Sequence, residues 1–274
     1  ALENYDFHDA AQALYRFTWD DFCDWYVESA KFRLRLGEDA GEGSEEAAEA
    51  ARVRTTLAET LSVLLRLLHP FTPFLSEALW SHLPRDGEKG LLMGADWPEK
   101  GGGSSADPDA ETLFENLQDA VRGFRNLRAL LELTPSQKPA GTVACLDASL
   151  AESLGAEGGL LAFLAGLGGV ETREGGEAEW AATDVFRGGS VFLPLAEDAD
   201  LARLQASLAR KLAKVEKGIQ VVESKLGNEK FVARAGEDVV DSEKARLEEL
   251  RVEQRTLEAN QEAFLRNLGS APGT

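Results

Sequence analysis

The feature that most constrains this chain is the apolar periodicity of its last third. Leu201, Leu204, Leu208, Leu212, Val215, Ile219, Val222 and Leu226 follow one another in steps of 3, 4, 4, 3, 4, 3 and 4. That is a heptad pattern with one stutter. Val240, Leu247, Leu250, Leu257, Phe264 and Leu268 fit a second heptad frame, in which Glu243, Gln254 and Gln261 are the polar exceptions. The twelve residues between, GNEKFVARAGED (227–238), place Gly227 to end the first helix and Gly236 to relax the turn. Two long helices with a short break between them can bury such stripes against each other as an antiparallel hairpin. Its first arm is about 39 Å long at 1.5 Å per residue.

The remainder of that first helix carries charge. At about 100° per residue, Arg210, Lys214, Lys217 and Lys225 all fall within about 40° of Arg203, and the stripe is expected to point away from the partner helix. A row of cations tracks phosphates without reading sequence, although any coiled coil also has a solvated charged face. Phe231, at the tip, can stack on an exposed base or form a small core with Val232.

Overall charge is misleading here. The chain of 274 residues has a formal charge of −19. Residues 1–200 hold 16 Lys and Arg against 36 Asp and Glu, whereas 201–235 hold 8 against 3 and 236–274 hold 5 against 9. The local positive excess therefore sits on one segment, which is where a polyanion would be drawn.

Upstream, the pattern is helical and then mixed. Residues 6–34 read as one long helix capped by Asp6, with Leu14, Phe17, Phe22, Trp25 and Tyr26 at helical spacing. The acidic, Gly-rich run 37–50 suits a mobile loop leading into a helix over about 44–69, which Pro70 and Pro73 interrupt. A short helix over 74–82, a break over 84–108 and a helix from 108 to about 133 follow, the last opened by Asp107-Pro108. TVACL (142–146), WAATDV (180–185) and SVFLPL (190–195) read as strands, 148–166 as helical and 170–173 as a further possible strand. The expected fold is mainly α. A helical bundle over 1–138 leads into a small α/β connecting unit over 139–198 and an antiparallel coiled-coil hairpin over 199–270.

Catalytic machinery is not evident. His8, His69 and His82 are isolated on helices, and His69 is expected to be a packed or capping residue. Cys23 and Cys145 are expected to be ordinary packed thiols, too few for a disulfide framework or a Cys-rich zinc site. The glycines at 101–103 lack the lysine and the strand-to-helix context of a phosphate loop. No apolar run is long enough to span a bilayer, and a cytoplasmic protein is expected.

Three stretches carry a resemblance. TWDDFCDWYVE (18–28), LLRLLHPFTPFLSEALW (64–80) and NEKFVARAGEDVVDSEKARL (228–247) are similar to the anticodon-binding bundle and C-terminal hairpin of bacterial valyl-tRNA synthetases. The first two are shared loosely with the isoleucyl and leucyl enzymes, and the third is more specific. FRNLRALLELTPSQKPAG (124–141) and GGSVFLPL (188–195) fit the connecting region. The resemblance implies a fragment that binds tRNA(Val), its hairpin against the outer corner of the tRNA. Neither ATP-binding motif of the family is present, which implies that the catalytic and editing domains, with their ATP and valine sites, lie upstream together with the first bundle helix. The fragment is then expected to be non-catalytic, monomeric and free of cofactors and metals. For the bundle, Arg52, Arg54 and Leu57, and Arg122, Arg125 and Arg128, are the candidate RNA contacts, each with a solvated-surface alternative. A competing class is a structural or protein-interaction coiled coil that binds no RNA. Salt separates the two, since phosphate binding weakens steeply with ionic strength and apolar helix docking does not.

Overall fold

A computed structural model describes residues 2–41, 43–84, 90–99, 107–176, 178, 180–195, 201–228 and 237–268. The chain divides into two compact units, Ala1–Ala106 and Asp107–Thr274. The helix opened by Asp107-Pro108 therefore packs with the α/β unit, and the compact boundary lies ahead of the expected position at 138.

The first unit is helical. Helix α1 (Phe7–Arg16) continues through a π-helical stretch (Phe17–Val27) into α2 (Glu28–Asp39), so the chain stays helical beyond the expected end at 34. Asp6 stands at the start but its side chain caps nothing. Helix α3 (Glu45–Leu68) packs antiparallel to α2. Gly37 explains why the helix runs into what reads as a loop: a Cβ there would lie 2.3 Å from the Ala50 Cβ, so only glycine lets the two helices approach this closely. Ser44 caps α3, its Oγ accepting from the Ala47 N–H at 3.1 Å. His69 joins α3 to α4 (Pro73–Trp80) through a 2.9 Å hydrogen bond shared between its Nδ1 and Ser76 Oγ. Leu65, Trp80, Leu83 and Leu92 form a small core there, and the Glu77 carboxylate accepts from the Leu92 and Met93 N–H groups.

The second unit is built around a four-stranded sheet of order β2-β1-β4-β3. Its strands are β1 (Ala140–Cys145), β2 (Gly169–Glu174), β3 (Ala181–Phe186) and β4 (Gly189–Pro194). β1 and β2 are parallel, joined through α6 (Ala148–Ala156) and α7 (Gly158–Ala165), while β4 pairs antiparallel with both β1 and β3. Helix α5 (Pro108–Leu130) packs on the sheet, burying Leu117, Ala120, Val121, Phe124 and Leu127. Two glycines permit the approach. A Cβ on Gly123 would meet Val191 at 2.8 Å, and one on Gly141 would meet the Phe124 ring at 2.6 Å. Asp107 caps α5 through the Asp109 and Ala110 N–H groups.

The heptads form the expected hairpin. Helix α8 (Leu201–Leu226) and helix α9 (Glu237–Leu268) pack on each other, with Leu208, Val215, Ile219 and Val222 buried in the seam. Helix α9 also packs along β3, the edge strand, so the root of the hairpin is seated on the sheet. Two cross-arm ion pairs fix the register, Lys225–Glu243 at 2.7 Å and Arg251–Glu223 at 2.9 Å.

Candidate nucleic-acid interface

Helix α8 exposes Arg210, Lys214 and Lys217, as their placement outside the apolar seam requires. Lys211, between them in sequence, is also exposed. None of these four meets a carboxylate among the described residues; Arg210 donates from Nε only to the Ala206 carbonyl, at 3.2 Å. Four uncompensated cations within three turns are unusual on a chain of charge −19.

Lys225 departs from the expectation that the whole stripe points away from the partner helix. Its Nζ reaches across the seam to Glu243 Oε1, and the two side chains are 42% and 15% exposed. A lysine about 40° round from the stripe's centre, toward the partner, is long enough to do this. The pair also explains Glu243, a polar exception in the second heptad frame. Its Oε2 is buried with no hydrogen-bond partner among the described residues, so the carboxylate relies on Lys225 for compensation. The side chain of Arg203 and all of Phe231 lie outside the described residues.

The cations surround two openings. A cleft of about 1040 Å³ between the hairpin and the sheet is of mixed charge, lined by Lys211, Lys214 and Arg246 but also by Glu248, Glu253 and the buried Asp184 of β3. A smaller recess of about 280 Å³ is lined by Lys214, Lys217, Gly218, Val221, Lys225 and Arg246. Arg246 comes from α9 and has no hydrogen-bond or ion-pair partner among the described residues. Neither Lys211 nor Arg246 belongs to the stripe read from sequence. Lys211 falls about 80° from Arg203, outside the window considered, and Arg246 enters only once the two arms are placed side by side.

Four of the six candidates in the first 138 residues have other work. Arg125 donates through Nε and Nη2 to the Leu164 carbonyl at 3.2 and 2.9 Å, tying α5 to α7. Arg128 donates to three carbonyls, those of Gln137 at 2.7 Å, Gly166 at 2.8 Å and Thr134 at 3.0 Å. Arg122 pairs with Asp119 at 2.9 Å. Arg125 and Arg128 therefore act as braces of the second unit, their guanidinium groups engaged by backbone carbonyls. On α3, Arg52 is paired with Glu49 at 2.6 Å and Leu57 is half-buried, whereas Arg54 is exposed with no partner among the described residues.

Residues 1–144 match the family model described as the anticodon-binding domain of tRNA ligase. The chain belongs to that family. Residues 200–263 match a second model, the valyl tRNA synthetase tRNA binding arm, which coincides with the hairpin bearing the cations. Among curated relatives, the valine–tRNA ligase of Caulobacter vibrioides is 38% identical over 262 residues, 94% of this chain and 28% of the relative. That of Thermotoga maritima is 36% identical over 247 residues, 90% of this chain and 26% of the relative. That of Syntrophotalea carbinolica is 35% identical over 257 residues, 90% of this chain and 27% of the relative. The chain thus spans about a quarter of the length of the relatives it matches, and the two models cover residues 1–144 and 200–263 of it. The resemblance to valyl-tRNA synthetases and the mainly α architecture both hold. No helix of the described residues is long and apolar enough to cross a membrane.

Burial pushes the Cys145 thiol above its ordinary value, with Asp147 adding to the effect. Tyr26 is raised as well, chiefly by burial and in small part by Glu49, against the opposing Thr56 hydrogen bond and Arg33. Among the described residues no group of His, Cys, Asp and Glu has metal-binding geometry.

Proposed function

We propose that this chain is the tRNA-handling portion of a valine–tRNA ligase, holding tRNA(Val) for aminoacylation by catalytic and editing domains of the same polypeptide. The row Arg210, Lys211, Lys214 and Lys217 carries the reading, since these cations meet no carboxylate among the described residues of a strongly acidic protein. Leaving them bare makes sense if phosphates neutralise them. The relatives, all valine–tRNA ligases, and the match of the hairpin to a tRNA binding arm support it. On this reading the fragment is monomeric, acts in the cytoplasm and needs no cofactor of its own, while ATP and valine are used by the rest of the enzyme.

Filter binding of the chain to a tRNA(Val) transcript and to a second tRNA, at stepped salt, tests the proposal. Four phosphate contacts give a slope near −3.6 in log K against log salt, a loss of about 150-fold from 50 to 200 mM. Binding that ignores salt, or no binding at low salt, would return the hairpin to the protein-interaction class. Valine-dependent pyrophosphate exchange is expected to be absent, and its presence would overturn the non-catalytic reading.

A further inference from the structure

We propose that one strand of RNA backbone crosses the hairpin seam at Gly218 and is gripped from both arms, by Lys214 and Lys217 of α8 and by Arg246 of α9. This rests on the tRNA-binding reading above and gives the hairpin itself, in place of a single helix, as the ligand site.

Four observations converge on this place. Lys214, Lys217 and Arg246 line one recess, and no carboxylate lines it among the described residues. The Gly218 position faces Leu250 of α9, whose methyl carbons would stand 3.4 and 3.5 Å from a Cβ there; the missing side chain leaves the seam shallow at that level. Lys214 lies one turn from Gly218 along α8, and Arg246 one turn from Leu250 along α9. Because the arms are antiparallel, the two cations flank the Gly218–Leu250 level on opposite sides, each about 6 Å along the axis. Finally, the Lys225–Glu243 pair sits at the tip-side border of the recess, with Glu243 one turn before Arg246 on the same helix face. It neutralises the nearest carboxylate and pins the second arm at the register that brings Arg246 over the recess.

The free protein therefore carries like charges from both arms around one recess, and a phosphodiester bound between them relieves their repulsion. A ligand tracking the α8 face alone would not need Arg246.

The test uses the full chain, a tRNA(Val) transcript and three variants. Arg246→Gln should weaken binding about eightfold at 0.1 M salt and flatten the slope by about 0.9, the contribution of one phosphate contact. Lys244→Gln, two residues away on α9 and paired with Asp241 outside the recess, should leave both unchanged. The melting point of Arg246→Gln should match the parent, since the side chain is exposed and without a partner among the described residues. If Arg246→Gln binds like the parent while Lys214→Gln/Lys217→Gln binds weakly, RNA runs along α8 alone and the two-armed grip is wrong. The same holds if Lys244→Gln and Arg246→Gln lose affinity equally. If the double lysine variant also binds normally, the tRNA-binding reading of the hairpin falls with it.

Discussion

Replacing Arg128 by alanine separates a brace from an RNA contact. In the structure its guanidinium holds the carbonyls of Thr134, Gln137 and Gly166, closing the turn between α5 and β1 onto the end of α7. Hydrogen bonds from a charged donor contribute about 1.5–3 kcal/mol each. Thr134 and Gln137 are exposed, so water replaces much of what those two provide, and only the Gly166 bond is partly buried. A total loss of about 2–4 kcal/mol follows. For a unit of this size that is a fall of roughly 4–16 °C in melting temperature, at about 2–4 °C per kcal/mol. Arg128→Lys should recover little, because one ammonium cannot span three divergent carbonyls. Calorimetric melting of the full chain, followed by tRNA binding well below the transition, gives the answer. The bracing role predicts a lowered transition with unchanged affinity and salt slope. An unchanged transition with weakened tRNA binding would refute it and restore Arg128 to the RNA surface.

Other outcomes follow from the same structure. Lys214→Glu/Lys217→Glu should weaken cognate and non-cognate tRNA alike, while thermal stability changes by about 0.5 kcal/mol or less; unfolding of this variant would mean the stripe packs on protein. Gly37→Val should cost the first unit about 1–3 kcal/mol through the clash with Ala50, measured by urea unfolding. Leu193→Ala, in the fully buried layer of β4, should cost about 2–5 kcal/mol by the same assay. Cys145 and Tyr26 are both raised above ordinary values of 9.0 and 10.0, so folding favours their protonated forms. Their contribution is complete below the unfolded-state values and drains as pH climbs through the folded ones. A stability-against-pH curve should therefore turn down above about pH 9, less steeply for Cys145→Ala.

The hairpin was legible in the sequence because heptad steps permit few other structures, and the strands because each lies between turn residues. What escaped sequence reading depends on a second element. Gly37 looks like loop composition until Ala50 is beside it, and the helix then extends through it to Asp39. Arg125 and Arg128 look like surface cations on a helical wheel, yet the carbonyls they serve lie up to 39 residues away. The stripe on α8 was visible one helix at a time. Lys225's link to Glu243 and Arg246's place at the recess arise only from inter-arm register, which heptads leave open by whole repeats.

Helix α9, lying along the edge strand β3, has a practical consequence. Cutting the chain after the sheet to obtain an armless protein would bare a row of unpaired backbone donors and acceptors on a strand that includes the buried Ala181, Ala182 and Thr183. Such a truncation would offer itself to a second copy, strand to strand, and lost tRNA affinity in it would reflect self-association as much as a missing contact. The arm is a cover for the sheet as well as a handle for RNA, and it is better silenced by side-chain substitution than removed.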